Sequence, residues 1–428
     1  MDRRRILTIA FIVFTNILGA GVIIPILPLL AVDRYGASEF QAAILAALFF
    51  AAQFVAAPIF GRISDRVGRR PVLIISQIGT VLSFIMFIYA DRLGGIIDGL
   101  GLSFGMTGGL IALYLARTLD GFTGGNITIA QAYITDVSTP ETRAQALGML
   151  GAAFGLGFII GPASGGLLAT ISLTAPFIGA AIVTTGSVIL TTLLLEESLP
   201  PEKRTDANAV KSARTPMTEF LKVPTILLIM AIGFCFSMAL SVLQSTFALF
   251  ADRALFPSET AEIVARNVGF ILMFIGIFSV INQAILIGPL VKRFGEQKLL
   301  LFCAVSLMIG FLGYGTSSSM LQVILFAAPI SFGIGISQPS LQSLITRFGT
   351  DQTRGQLIGL YQAGNNLAFI LGPIWAGYVF ETISPQAPYF AVVPLGIVIF
   401  AFAFSLLQSE IPMRQQPDFA VSSSKEIS

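Results

Sequence analysis

Arg117 and Asp120 stand three residues apart inside an otherwise apolar run, with Gly121 and Gly124 following closely. On a helix that spacing lets the two side chains face one another. They are the only acidic and basic residues expected near the middle of any apolar run in this chain. A charge at bilayer depth costs about 2.5–3.5 kcal/mol, so such residues pair and mark ion or proton pathways. Asp120 is the candidate proton carrier, with Arg117 as its partner. Burial and the arginine act on its protonation in opposite senses, so hydration or a bound cation can tip the balance. The chain has no His, which leaves carboxylates to do any proton work. A static pair that orders its helix is the alternative, and would suit transport without protons.

Arg117, Gly121, Gly124, Thr128, Gln131 and Thr135 follow a 4-3-4-3-4 spacing. That makes one polar face, expected to line a central cavity. Ser237, Ser241 and Gln244 share a second such face, and Ser331, Gly335, Gln338 and Gln342 a third, while Asn16, Gln53, Gln362, Asn365 and Asn366 add amides elsewhere. Any single amide is as well explained by bonding between helices. Their convergence from several helices favours a shared pocket, so the amides named here are the candidate substrate contacts. Phe49, Phe50 and Phe54 beside Gln53 supply aromatic walls.

The elements that position these groups are helices in a membrane. Of 428 residues 55% are hydrophobic and 11% charged, and twelve apolar runs can be marked from near Ile6 to near Tyr389. A bilayer-spanning helix needs about 20 such residues. Lipid satisfies no backbone hydrogen bonds, so the runs must be helices rather than strands. The first run follows Arg3-Arg4-Arg5 and is too long for a cleaved leader, so it reads as a retained helix. Alternating through twelve spans puts Arg34, Arg92, Arg253 and Arg266 outside and leaves twenty of the 25 basic residues inside. Both termini are then expected in the cytoplasm, with the chain in the cell (inner) membrane. The net charge of +2 is a loop effect and gives no reason to expect nucleic acid. Cys235 and Cys303 lie in different apolar runs and read as packing residues. No nucleophile with base and orienting group, and no metal-ligand cluster, occurs at membrane depth. An enzyme, a metal site and a cofactor are therefore not expected.

The chain repeats itself. Thr142-Arg143-Ala144-Gln145-Ala146-Leu147-Gly148 is echoed by Thr353-Arg354-Gly355-Gln356-Leu357-Ile358-Gly359, and Gly161-Pro162 with Gly166 by Gly372-Pro373 with Gly377, at one constant offset. A looser echo relates Gly61, Arg66 and Gly68 to Gly288, Arg293 and Gly295. Two pseudo-symmetric six-helix bundles follow, over residues 1–195 and 223–410. Between them residues 196–222 read as a charged cytoplasmic linker, and residues 411–428 as a disordered cytoplasmic tail.

Two further motifs carry mechanics. In Gly61-Arg62-Ile63-Ser64-Asp65-Arg66-Val67-Gly68-Arg69-Arg70 the glycines permit a tight turn, and Asp65 can cap the next helix or pair with arginines of neighbouring loops. Asp136 is the candidate partner of Arg69 or Arg70. Such pairs would hold one side closed as a gate; otherwise the arginines are only topology signals. At the repeat position Lys292 replaces the acid, so the second lock is expected to be weaker or absent. In the fifth run Gly148, Gly157, Gly161, Pro162, Gly165 and Gly166 permit close approach, and Pro162 invites a kink. A smooth, bendable helix between the two halves would suit a rocking motion.

The 61–70 loop resembles the loop 2-3 signature of the major facilitator superfamily, and the fifth run resembles the antiporter signature of its drug:proton exchange branch. Leu18-Gly19-Ala20-Gly21 followed by Pro25 and Pro28, and Arg117-x3-Gly121-x2-Gly124, add to the likeness. It covers about the whole chain and is nearest to tetracycline-efflux-type exporters of twelve helices. The resemblance implies a fold of twelve transmembrane helices, all α, and a monomer that exports a small molecule against inward protons. Those exporters carry acids in their first and third helices at positions that align with Asn16 and Ser83, both neutral here. The acids are tied to a cationic or metal-chelated drug, so a moderately polar or amphipathic substrate fits this chain better. A facilitator or symporter of a metabolite is the alternative, and a non-transporting receptor a remote one.

Overall fold

A computed structural model describes residues 3–103, 105–204, 217–349 and 353–409, and the regular structure of these is helical. The first apolar run folds as α1 (Arg3–Ile23) and α2 (Leu27–Tyr35). Pro25 and Pro28 lack the N–H groups that a continuous helix needs, and Pro28 sits in the first turn of α2, where none is required. α3 (Glu39–Val67) begins under a capping box. Ser38 Oγ accepts from the Gln41 N–H at 3.2 Å and Gln41 Oε1 accepts from the Ser38 N–H at 2.9 Å. α4 (Arg69–Ile88) continues as α5 (Ala90–Gly99). The fourth run is divided at Gly124-Gly125 into α6 (Gly108–Thr123) and α7 (Asn126–Val137), and α8 (Pro140–Ala169) and α9 (Ala175–Leu194) complete the first bundle.

After a short α10 (Met217–Leu221), the second bundle opens with α11 (Pro224–Phe250). The eighth span is α12 (Ala261–Ile281) and α13 (Ile287–Phe294), joined by a wide π turn over Asn282–Leu286. α14 (Glu296–Thr316), α15 (Met320–Thr346), α16 (Arg354–Thr382) and α17 (Ala387–Gln408) follow. Among the described residues ten of the spans are able, by length and composition, to cross a membrane. The remaining two are the divided fourth and the eleventh, α16, whose 29 residues include Gln356, Gln362, Asn365 and Asn366. Both are helical where the sequence places a span, which gives twelve in two bundles of six. Ile171, Leu193 and Leu321 are 76%, 75% and 71% exposed, among many surface apolar side chains that require lipid around them. Cys235 and Cys303 are both buried and unpaired.

The bundles touch along two seams, α3 with α16 and α8 with α12. Where α3 begins the contact is tight. A Cβ on Gly377 would stand 2.6 Å from the Ala43 Cβ, and one on Gly166 2.7 Å from the Ala265 carbonyl oxygen. Halfway along α8 a Cβ on Gly155 would lie 3.7 Å from Val280, and at Gly151 and Gly148 nothing stands within 4 Å. Gly355 and Gly359, at the same end of α16, are equally open. The two bundles therefore splay from the end where α3 begins toward the end where it finishes. Of the expected linker, Pro201–Lys203 forms a single 3-10 turn. Residues 205–216 and the expected tail 411–428 lie outside the described residues.

Candidate functional site

α6 carries Arg117 and Asp120 inward, 8% and 3% exposed. The Arg117 Nη1 donates to Asp120 Oδ2 at 2.7 Å, the pairing that their spacing indicates. The guanidinium lies 4.1 Å from the centre of the Phe49 ring on α3, a cation–π contact. On α4 the Ser83 hydroxyl donates to the Thr80 carbonyl at 2.7 Å. The pair is thus held between α6 and α3. Gly121 makes this possible, because a Cβ there would stand 2.2 Å from the Phe49 carbonyl oxygen. The Arg117 Nε is buried without a partner.

A cavity of ≈150 Å³ opens between the bundles, walled mainly by α1, α2, α3, α8 and α11. Phe49, Phe50, Phe154 and Phe158 provide aromatic surface, and Gln53, Arg117, Ser241, Gln244 and Ser245 the polar groups. Asp120 stands behind Arg117 rather than in the wall. Of the amides singled out from sequence, Gln53 and Gln244 belong to this wall. Gln53 also donates to the Gly124 carbonyl at 3.0 Å, tying α3 to the break in the fourth span.

The others are placed elsewhere. Gln338 donates to Ser237 Oγ at 3.1 Å and accepts from the Tyr361 hydroxyl at 2.9 Å and from Asn365 at 3.4 Å. That network binds α15 to α11 and α16 inside the second bundle. Asn16, Gln131, Gln342, Gln362 and Asn366 are not in the cavity wall, and the Asn16 Oδ1 is buried and unpaired. The polar face expected over residues 117–135 is interrupted partway. Gly124-Gly125 ends α6, Gly121 abuts Phe49, and Gln131 is exposed.

At the splayed end the 61–70 segment, expected as a loop, is the last turns of α3, a break at Gly68 and the start of α4, and it is tightly bound. Arg69 Nη1 meets Asp65 Oδ1 at 2.7 Å and Ser64 Oγ at 2.7 Å, and its Nε meets Asp136 Oδ2 at 3.1 Å. Gly68 adopts φ 114°, in the left-handed region. Glu197, beyond α9, was not singled out from sequence, yet its carboxylate accepts the Arg69 N–H at 2.8 Å and the Arg70 N–H at 3.2 Å. These are free amides of the first turn of α4, a natural anion site. The Arg70 guanidinium reaches the Thr192 carbonyl, Arg66 is exposed, and Gly61 has open space around it. All these partners belong to the first bundle and its exit.

The glycines of α8 divide between two partners. A Cβ on Gly157, Gly161 or Gly165 would stand 2.9, 2.9 or 2.3 Å from Ile17, Gly21 or Val22. That stripe serves α1, within the same bundle. Gly166 and the Pro162 carbonyl meet α12 across the seam, the latter 2.4 Å from a Cβ on Gly269. The expectation of one glycine face between the halves is thus corrected to two faces, the larger internal to the first bundle. Gly148 touches neither.

Comparison with known proteins agrees with this architecture. The chain is 31% identical over 360 residues to the Tetracycline resistance protein, class C, of Escherichia coli, covering 83% of this chain and 84% of that protein. It is 27% identical over 378 residues to Multidrug resistance protein 2 of Bacillus subtilis (strain 168), covering 86% and 87%. Among solved structures it resembles the nucleoside transporter NupG, with a TM-score of 0.68 at 16% identity over 95% of this chain and 99% of that one. The human organic anion transporter MFSD10 (TETRAN) gives 0.64 at 20% identity, covering 94% and 99%. The sequence profile of the Major Facilitator Superfamily matches residues 9–349 and 265–425, and this chain, a multi-pass membrane transporter, belongs to that family.

Proposed function

We propose that this chain is a secondary active transporter that exports a small amphipathic molecule in exchange for protons, by alternating access to the cavity between its bundles. The observation that carries the reading is the buried Arg117–Asp120 pair, with Arg117 in the cavity wall and Asp120 behind it. With Asp120 ionised the pair is closed on itself, and the aromatic wall is left to an amphipathic guest. With Asp120 protonated, Arg117 brings an uncompensated charge to that wall, which disfavours an apolar guest. Proton and substrate then exclude one another, as exchange requires. The names of the relatives, resistance proteins for tetracycline and for multiple drugs, support export. Neutral Asn16 and Ser83 speak for a guest other than a metal-chelated cation.

The charge distribution of the loops supports a cytoplasmic position for the splayed end and for both termini. A drug-sized guest fills roughly 300 Å³ or more, so the ≈150 Å³ cavity must widen to admit one. The splay offers that room on the side from which an exporter loads.

The test is proton movement in proteoliposomes under an imposed pH gradient, against a panel of cationic, neutral and anionic amphiphiles. Substrate-dependent proton flux, lost in Asp120→Asn while substrate counterflow persists, is expected. Full coupled flux in that variant would remove Asp120 from the mechanism. Substrate flux without protons would make the chain a facilitator.

A further inference from the structure

The tight end of the molecule is joined by charge as well as by packing. Glu39 opens α3, and its carboxylate lies 3.3 Å from the Arg253 guanidinium in the π turn Ala251–Leu255 that prolongs α11. The next residue, Phe40, has a first-turn N–H that lacks a partner within its own helix. Glu381, at the far end of α16, accepts it at 2.9 Å. The second bundle thus supplies an anionic cap to the first turn of α3, where the helix dipole favours negative charge. Around this contact acids outnumber Arg253. Asp33 of α2 interacts electrostatically with Asp252, Arg253 and Glu262, and Asp252 with Glu39. Asp33 and Glu39 belong to the first bundle, Asp252 and Glu262 to the second. Without Arg253, like charges would face one another across the seam.

We infer that Arg253 and Glu381 form an electrostatic latch on the first turn of α3, which holds this end closed and sets how often it opens. The ion pairs of Arg69 at the splayed end engage residues of one bundle alone, whereas both latch contacts are lost when the bundles part. The inference rests on the alternating-access reading, but its test uses neither substrate nor pH gradient, so a chain that moves no protons still reports on the latch.

The experiment places spin labels at Ile171→Cys and Ile383→Cys, exposed positions beside the tight end, in the full chain in lipid nanodiscs with Cys235 and Cys303 replaced by alanine. Spin–spin distances then give the fraction of molecules open at this end. Arg253→Gln is expected to raise the open fraction about threefold and Glu381→Gln by less, as suits partly exposed charge contacts. The double reversal Glu39→Arg with Arg253→Glu is expected to bring it well below the value of Arg253→Glu alone, though not to the parent's, because an arginine in the first turn of α3 opposes the helix dipole. Parent-like distances in both single variants, or no recovery in the double reversal, overturn the latch. If a variant fails to fold, the parent protein answers through salt, since about 1 M screens such charges far more than 0.05 M. An open fraction that does not rise with salt overturns the latch as well.

Discussion

Arg69 and Glu296 hold equivalent places in the two bundles, each the first residue of the helix after a positive-φ glycine, Gly68 in one case and Gly295 in the other. Arg69 pairs with Asp136 at the end of the fourth span. Glu296 pairs with Arg347 at the end of the tenth. The offset that relates the fifth and eleventh spans also relates Asp136 to Arg347, so the same bond recurs with its charges exchanged. The next position agrees again. Arg70 donates to the Thr192 carbonyl near the end of the sixth span, and Gln297 to the Leu406 carbonyl near the end of the twelfth. The second loop, where Lys292 replaces the acid of Asp65, makes its own ion pair through a different acid, Glu296. The repeat is thus a repeat of contacts, and residue types are free to change so long as the contact survives.

What differs is the number of partners. Arg69 binds Asp65 and Ser64 besides Asp136, and Glu197 caps the helix it begins. Among the described residues Arg347 pairs with Glu296 alone, and its Nε is buried without a partner. The largest effect is therefore expected from Arg69→Glu, which sets a third carboxylate between Asp65 and Asp136. A loss of roughly 3 kcal/mol in unfolding free energy suits an uncompensated, mostly buried charge, against about 1–2 kcal/mol for Arg347→Glu. Thermal unfolding in detergent reads both. Giving the first bundle the polarity of the second, with Asp136→Arg added to Arg69→Glu, should recover most of the loss. Equal losses in the two bundles would break the comparison.

The glycines offer a finer measure. Gly68→Ala meets both a left-handed backbone and Glu197 Oε2 at 2.4 Å, whereas Gly295→Ala at φ 77° meets open space. Costs of about 2–3 and about 1 kcal/mol are expected, again by thermal unfolding. Similar costs would show that Glu197 yields easily and does not fix the loop. The smallest effect belongs to Lys292→Asp, which restores the missing acid to the second loop. Its exposed setting limits the gain to below about 0.5 kcal/mol, and a transport rate unchanged within error is expected. A clear rate change would mean that the second loop, too, gates the cycle.

The sequence made some of this legible and not the rest, for physical reasons. Arg117 with Asp120 is readable because helical spacing of three residues fixes who can meet, whereas Asp65 with Arg69 is not, because Gly68 ends α3 between them. The breaks at Pro25-Pro28 and Gly124-Gly125 rest on residues that disfavour helix, but the prolines entered only through the family likeness and Gly124 was read as part of a polar face rather than as its end. Glu197 was hidden because its partners lie more than a hundred residues away and its own neighbourhood is a charged linker. Amides carry no mark of their partner, so Gln338 in a bundle-internal network and Gln244 in the cavity wall look alike. The four-residue step of Gly157, Gly161 and Gly165 shows one face, but not that α1 covers it.

The empty space around Gly148, Gly151, Gly355 and Gly359 has a thermodynamic consequence. Within a helix glycine is about 1 kcal/mol worse than alanine, and here no neighbour comes close enough to require the missing methyl. All four lie on the helices that converge at the opposite end, and Gly148 and Gly359 are partners in the internal repeat. Alanine at these sites would favour the present geometry on helix propensity alone, and would obstruct any geometry in which the splayed ends come together. Their smallness leaves the free-energy difference between the two arrangements small, which is what a carrier needs if it is to spend time in both.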